Sequence, residues 1–520
     1  MKILFEKAAS RHLAAIGAGL LLAAAFPKAG IAGFAWVAPA LMLACAHKKT
    51  GRESFWIGYV AGLSFWLASL YWLLLIPVTG FPILGWIALG AFLALFFAVW
   101  VWLLAGKIGE GNWVQRTLWS LLGAAVWVAL EMIRARIFSG FPWSFIGVSQ
   151  FQMTPLIQIA SVTGVYGISF LVVWASLSLF SGVRMIFSKP DSRFAWQPEI
   201  FLPLFAVAGL FAVGEMKVRK EIPPASTLRV TLIQPSVPQT MIWDSGANSN
   251  RFQQLLALSE SALTNQTDLL VWPEAALPEF DEASYIAITN LIRAHHVWMI
   301  FNADDLPAAN SPDYNAAFLF DPDGRCAAIY HKQNLVVFGE YIPLVRWMPF
   351  LKWFTPIQSG YASGNEPVQF EINRGDSGWP SARTSPLICF EDTFPQLARK
   401  SVQGDTDFLV NLTNDGWFGD SAEQWQHMAN AVFRAVENGV PLVRCCNNGV
   451  TCWIDANGRV REIFRDKAGG VYGPGAMTIE LPLQKHERTF YNRHGDWFGW
   501  SCVGIGFLVF TGRITRRKKN

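Results

Sequence analysis

The chain has 520 residues, of which 52% are hydrophobic and only 15% charged, with a formal net charge of +4. Soluble domains carry about a quarter charged residues, so this balance excludes a disordered, collagen-like or nucleic-acid-binding chain and argues against an ordinary cytosolic globule. Only six of the 38 acidic residues (Glu6, Glu53, Glu110, Glu131, Asp191, Glu199) precede position 215, so the two parts of the chain are built for different solvents.

A helix crossing a hydrocarbon core needs roughly 20 apolar residues. In chain order, apolar segments at 11–27, 31–46, 55–76, 83–106, 117–134, 165–187 and 199–214 read as membrane spans, with an eighth at 497–512. The first two are short and rich in Ala and Gly, which predicts a tight hairpin around Phe26-Pro27. Residues 1–25 also have the look of a signal peptide, but the apolar segments continue directly after them. Alternate short loops carry 16 and 3 Lys and Arg residues, which predicts both termini in the cytoplasm and the polar stretch between spans seven and eight on the outer face.

From 228 onward the pattern changes. Strands are predicted at 228–234, 268–272, 297–302, 315–320, 325–330, 385–390, 407–412, 441–446 and 450–454, with hairpin turns at 321–324 and 455–458. Helices are predicted at 249–264, 282–295, 395–402 and 423–438. The expected fold is therefore an α-helical transmembrane bundle of about eight spans plus an α/β domain, two stacked sheets or one doubly wound sheet. Its boundaries are expected at 1–219 for the first seven helices, 220–490 for the α/β domain, and 491–520 for the last helix and a basic tail.

Three predicted strand ends carry reactive groups. Glu274 follows the apolar run 268–272, Lys332 follows the 321–324 hairpin, and Cys389 ends the run Pro386-Leu-Ile-Cys389. A thiol, a carboxylate and an ammonium are the nucleophile, proton acceptor and oxyanion partner of an acyl-transfer site. Singly, each residue type at a strand end is commonplace. The seven cysteines (45, 326, 389, 445, 446, 452, 502) are an odd number and cannot all pair with one another, and they show no CxxC or Cys/His spacing that suggests a metal.

The Trp272-Pro-Glu274, Lys332-x5-Phe-Gly-Glu340 and Ile388-Cys-Phe-Glu391 segments, in this order, resemble the Glu-Lys-Cys triad of the nitrilase (carbon–nitrogen hydrolase) superfamily. That resemblance implies an αββα sandwich. Most of that superfamily is soluble, whereas this chain sets the domain between membrane spans, which is similar to the membrane-embedded branch that N-acylates bacterial lipoproteins. Further matching segments are Glu131-x2-Arg134, Gly140-Phe-Pro-Trp143, 411–420, Gln426-His427, Arg434-Ala-x-Glu437, Asn447-Asn-Gly449 and Gly495-Asp-Trp497.

The resemblance implies catalysis by Glu274, Lys332 and Cys389 through a thioester, with Glu340 and Glu391 positioning the lysine and nucleophile and Asn315, Trp243 and Trp417 lining or gating the pocket. Phe390 stands where many relatives are expected to have Tyr, which leaves its backbone N–H available and removes any role for a hydroxyl. It further implies a phospholipid acyl donor, a diacylglyceryl apolipoprotein acceptor, no cofactor or metal, a monomer, and a bacterial inner membrane with the α/β domain in the periplasm. The segment 338–360, with its alternation of aromatic and basic residues, is expected to form an amphipathic arm in the headgroup region, and the Trp143 region a second such element. Two other readings of the same residues are a membrane-tethered amidase that uses water as acceptor and a non-catalytic lipid or lipoprotein receptor.

Overall fold

The computed structural model describes residues 8–78, 81–105, 111–187, 194–220, 223–264, 266–306, 311–343, 345, 347–349, 360–375, 381–485 and 487–517. Much of the expected amphipathic arm (344, 346 and 350–359) lies outside the described residues, as do Lys2, Lys7, Lys107, Lys189, Arg193, Lys518 and Lys519 of the charge count. The chain divides into two compact units: residues 1–74, 82–220 and 493–520 form one, and 75–81 with 221–492 form the other.

The first unit is helical. Four of its described helices, Pro82–Leu104, Trp113–Arg134, Val165–Phe187 and Gln197–Arg219, are long and apolar enough to cross a membrane, while Ala9–Ala24 and Trp497–Gly512 are shorter apolar helices. Of the about eight expected spans, four are met by helices of that length among the described residues. In place of the span expected at 31–46 there is a 3-10 turn, Ala32–Trp36, and an eight-residue helix, Ala38–Cys45, with Pro39 in its first turn. At 1.5 Å per residue that helix rises only about 12 Å. The segment expected at 55–76 is a helix over Gly51–Ser69, opened by a Thr50/Glu53 capping box, followed by a 3-10 turn over Tyr71–Leu75. Trp143, expected near the membrane surface, is buried against Trp72 with ring centroids 5.4 Å apart.

Small residues let these helices approach closely, as apolar surroundings require when there is no hydrophobic gain from contact. A Cβ at Gly58 would sit 2.8 Å from the Phe97 carbonyl oxygen, and one at Gly62 2.8 Å from Phe97 Cβ. Buried charges are partnered within the unit: Arg116 with Glu199, and Arg136 with Asp496. Glu131 Oε1 accepts from Trp127 Nε1 at 2.9 Å and from the Ile146 N–H at 2.8 Å. Arg134 donates to the Phe141 and Trp143 carbonyls and lies 4.9 Å from the Trp66 ring centroid.

The second unit contains two six-stranded sheets. Its strands are β1 (Ser226–Gln234), β2 (Leu269–Val271), β3 (Trp298–Asp305), β4 (Tyr314–Phe320), β5 (Cys326–His331), β6 (Phe370–Asn373), β7 (Ser381–Ile388), β8 (Phe408–Thr413), β9 (Leu442–Cys446), β10 (Cys452–Ile454), β11 (Val460–Ile463) and β12 (Gly475–Leu483). The orders are β12-β1-β2-β3-β4-β5 and β11-β10-β9-β8-β7-β6. In each sheet the central strands, β1-β2-β3 and β7-β8-β9, run parallel and antiparallel strands flank them.

Alternation along each strand explains the layering. Val230, Leu232, Leu269, Val271 and Ile300 share one buried cluster with Ile388, Val410, Leu412 and Val443 of the second sheet. Their sequence neighbours Leu270, Trp272, Met299 and Phe301 turn the other way, onto Leu255, Ile288, Leu291 and Ile292 of the helices Asn248–Ala262 and Glu282–His295. Helices Pro395–Ser401 and Glu423–Asn438 accompany the second sheet, which gives the αββα sandwich. Of the strands that sequence reading omits, β12 contains Pro482 and pairs with β1 across more than 240 residues, while β6 and β11 are four residues long.

Candidate active site

The ends of β2, β4, β5, β7 and β8 meet in one buried group of side chains. Glu274 follows β2 after Trp272-Pro273, and the next residue, Ala275, has φ +60° and donates its N–H to Asn302 Oδ1 at 3.1 Å. Lys332 follows β5, tied to β4 by its N–H on the Asn315 carbonyl at 2.9 Å. Lys332 Nζ lies 3.1 Å from Glu274 Oε1 and 2.7 Å from Glu340 Oε1. Asn315 Nδ2 donates to both carboxylates, at 3.1 and 2.8 Å, and its own Oδ1 accepts from Asn302 at 2.6 Å. The second Glu274 oxygen accepts the Asn414 N–H at 3.1 Å, and the second Glu340 oxygen the Val336 N–H at 2.8 Å.

Cys389 begins the turn Cys389–Thr393 that leaves β7, with φ +54° in a residue that is not Gly. A β-substituted residue held in that region stores strain and projects its side chain from a sharp strand-to-turn bend. Its carbonyl accepts from Asn411 Nδ2 at 3.0 Å. Burial, then the charge of Glu274, push the Cys389 thiol well above its ordinary value, while Lys332 pulls it down. Burial works against the charge on Lys332, but Glu274 and then Glu340 outweigh it and hold its ammonium well above the ordinary value. The resting site is therefore a neutral thiol beside a permanent cation, and the sulfur needs a proton acceptor before it can attack.

Glu391 joins the Cys389–Thr393 turn to the loop after Lys332. Its Oε1 accepts the N–H groups of Gln333 (2.7 Å) and Asn334 (3.0 Å), and its Oε2 accepts the Ile388 N–H (2.8 Å) and the Tyr330 hydroxyl (2.8 Å). Burial raises its carboxyl to about 7, against the pull of the Ile388 and Asn334 amides. The structure thus brings together Glu274, Lys332, Cys389, Glu340, Glu391 and Asn315. Trp243 and Trp417 instead form a pair of their own, with ring centroids 5.3 Å apart in an edge-on arrangement. Phe390 packs edge-on against Phe394 at 5.0 Å.

Sequence reading assigns no role to a second buried cluster. His427 Nδ1 lies 2.9 Å from Asp415 Oδ1, and its Nε2 lies 2.8 Å from Asp392 Oδ1. Arg444 pairs with Asp392 and approaches Asp415 at 3.6 Å, and Glu423 stands 3.6 Å from His427. Burial disfavours the charge on His427, but Asp392 and Asp415 raise it to about 10, while burial and Asp415 push Glu423 well up. The available signal was the Gln426-His427 pair on the helix Glu423–Asn438, where nearly every residue is buried, polar ones included.

Comparison with known proteins covers both units. Residues 18–178 match the family described as apolipoprotein N-acyltransferase N-terminal domain, and residues 229–469 match carbon-nitrogen hydrolase. An apolipoprotein N-acyltransferase of Geobacter metallireducens is 34% identical over 521 residues, covering 98% of this chain and 96% of its own. One from Bradyrhizobium diazoefficiens is 32% identical, covering 85% and 80%. Among solved structures, an amidase of the nitrilase superfamily from Nesterenkonia aligns with a TM-score of 0.36 at 16% identity, over 54% of this chain and 96% of its own.

Proposed function

The chain belongs to the apolipoprotein N-acyltransferase family and is an acyltransferase of lipoprotein biosynthesis, and we propose that it works through an acyl-thioester on Cys389. The observation that carries this reading is the buried Lys332 ammonium bound to both Glu274 and Glu340, in the same site as a Cys389 held at positive φ.

Glu274 takes the thiol proton, and the Cys389 sulfur attacks the ester carbonyl carbon of a phospholipid acyl chain. The carbonyl electrons move onto oxygen, where Lys332 Nζ and the Phe390 backbone N–H stabilise the oxyanion; donors of this kind are worth a few kcal/mol in the transition state. Collapse expels the lysophospholipid oxygen, which takes the proton from Glu274. In the second half the α-amine of a diacylglyceryl apolipoprotein attacks the thioester, its proton passes to Glu274, and the thiolate leaves and recovers it. Glu340 and Asn315 fix the Lys332–Glu274 pair, and Glu391 fixes the nucleophile turn against the lysine loop. The Trp243–Trp417 pair is proposed to line or gate the pocket.

The charge bias of the short loops supports residues 220–490 on the outer face of the membrane, between helical segments 1–219 and 491–520, and membership of the family supports the bacterial inner membrane and its periplasmic side. The test is turnover by the reconstituted monomer with one phospholipid and a lipopeptide bearing a free, diacylglyceryl-modified N-terminal cysteine. Expected are an N-acylated peptide and parallel double-reciprocal plots. Free fatty acid without peptide acylation would contradict the transferase assignment.

A further inference from the structure

The segment 411–415 touches both Cys389 and Glu274, yet the cycle above gives its side chains no part. Asn411 holds the Cys389 carbonyl, and the Asn414 N–H holds Glu274. Between them stands Thr413, the last residue of β8, fully buried. Its hydroxyl donates to Asp415 Oδ1 at 3.1 Å, and the parallel register of β7 and β8, with Ile388 opposite Leu412, sets Thr413 beside Cys389, whose thiol it favours in the charged form. A hydroxyl has one proton to give, so these two acceptors compete for it. Beside a neutral thiol the Asp415 carboxylate is the better acceptor. Once the sulfur carries a full negative charge, it becomes a strong acceptor in surroundings free of water.

What allows Asp415 to release the hydroxyl is the cluster behind it. His427 and Arg444 both face Asp415, so its carboxylate keeps charged partners when Thr413 turns away. His427 and Arg444 also both meet Asp392, three residues beyond Cys389 in the same turn. Two carboxylates are thereby balanced by an imidazolium and a guanidinium, with Glu423, pushed up by burial, beside them. We propose that Thr413 is a further catalytic residue, whose hydroxyl passes its hydrogen bond from Asp415 to the Cys389 sulfur as the thiolate forms, and that Asp415, His427, Asp392 and Arg444 are the positioning residues that hold both acceptors in place. No bond to carbon or sulfur is made by Thr413, and its proton stays on its oxygen throughout. The proposal rests on the reading of Cys389 as the nucleophile.

The experiment uses the full-length purified protein carrying Cys326→Ser, because Cys326 is the exposed cysteine and Cys45, Cys445, Cys446, Cys452 and Cys502 are buried. Iodoacetamide alkylation of Cys389 is followed against pH by peptide mass spectrometry, alongside acyl-thioester formation from one phospholipid. Thr413→Ser, which keeps the hydroxyl, stays within about twofold of the parent in both. Thr413→Val, which keeps the shape, slows both roughly tenfold and moves the alkylation midpoint up by about one pH unit, the scale of one hydrogen bond to a charged group. Thr413→Ala leaves a void in place of a clash and gives the same contrast should the valine chain fail to fold. A valine or alanine chain with the parent's profile, or a serine chain as slow as valine, would overturn the proposal, the latter by showing that packing of the methyl group is what matters. Asp415→Asn should lower the midpoint more in the parent than in the Thr413→Val chain, and equal shifts in both would remove the link between Asp415 and the hydroxyl. A parent that alkylates normally but forms no thioester would count against the nucleophile reading, while the serine–valine contrast would still decide the role of Thr413.

Discussion

The two units bury charge for opposite purposes. In the helical unit each buried ion closes a structural gap: Arg116 joins the helix Trp113–Arg134 to Gln197–Arg219 through Glu199, and Arg134 caps the carbonyls of the 141–143 segment. In the α/β unit the buried ions converge, with Lys332 shared by two carboxylates and His427 held between two more. Isolated pairs hold helices where solvent offers no partner, whereas converging groups shift one another's proton affinities, as the proposed nucleophile requires. The difference can be broken or sharpened by substitution.

The largest effect is expected at Cys389. Cys389→Ala removes thioester formation and transfer altogether while leaving the extracted protein folded, as read by size-exclusion profile and circular dichroism; retained transfer would reassign the nucleophile. Next comes Lys332→Met, which strands two buried carboxylates. Activity should fall by about 10²-fold or more, the scale of losing an oxyanion donor, and stability by about 3–5 kcal/mol, the scale of breaking a buried pair. In the helical unit, Arg134→Met should lower the thermal midpoint in detergent and leave the Cys389 alkylation profile unchanged, because its partners are carbonyls and rings. A shifted profile would erase the contrast between the units.

A smaller effect distinguishes the second cluster by its pH dependence. Since His427 is raised from its usual 6.5 to about 10, against its burial, by Asp392 and Asp415, its contribution to stability is complete below pH 6.5 and is lost as pH rises toward 10. Thermal midpoints measured from pH 6 to 10 should therefore fall more steeply in the wild type than in His427→Gln. Parallel slopes would contradict a charged imidazole. Least of all should come from Phe390→Tyr: acylation within about twofold, because the Phe390 backbone N–H serves the oxyanion with either side chain.

How much of this was legible differs between the units for the same physical reason. The α/β elements alternate sharply, so helices 282–295 and 423–438 read to the residue, and Glu274, Lys332 and Cys389 lie just past three strands, as expected. Strand β12 was missed because Pro482 weakens its pattern and its partner lies far back in the chain. Beyond the Gln426-His427 pair, the Asp392–Asp415–His427–Arg444 cluster left little signal, because its members come from a turn, a loop, a helix and a strand that meet only in the fold. In the helical unit, apolar composition announces membrane helices but not their lengths. Residues 31–46 are apolar enough for a span, yet Pro39 and the preceding 3-10 turn leave only eight residues of helix.

The most direct test of the central claim is intact-protein mass spectrometry after incubation with a single defined phospholipid and no acceptor. The account predicts a gain of one acyl group, labile to hydroxylamine and absent in Cys389→Ala. Folded protein that gains no acyl group and releases no free fatty acid would contradict it.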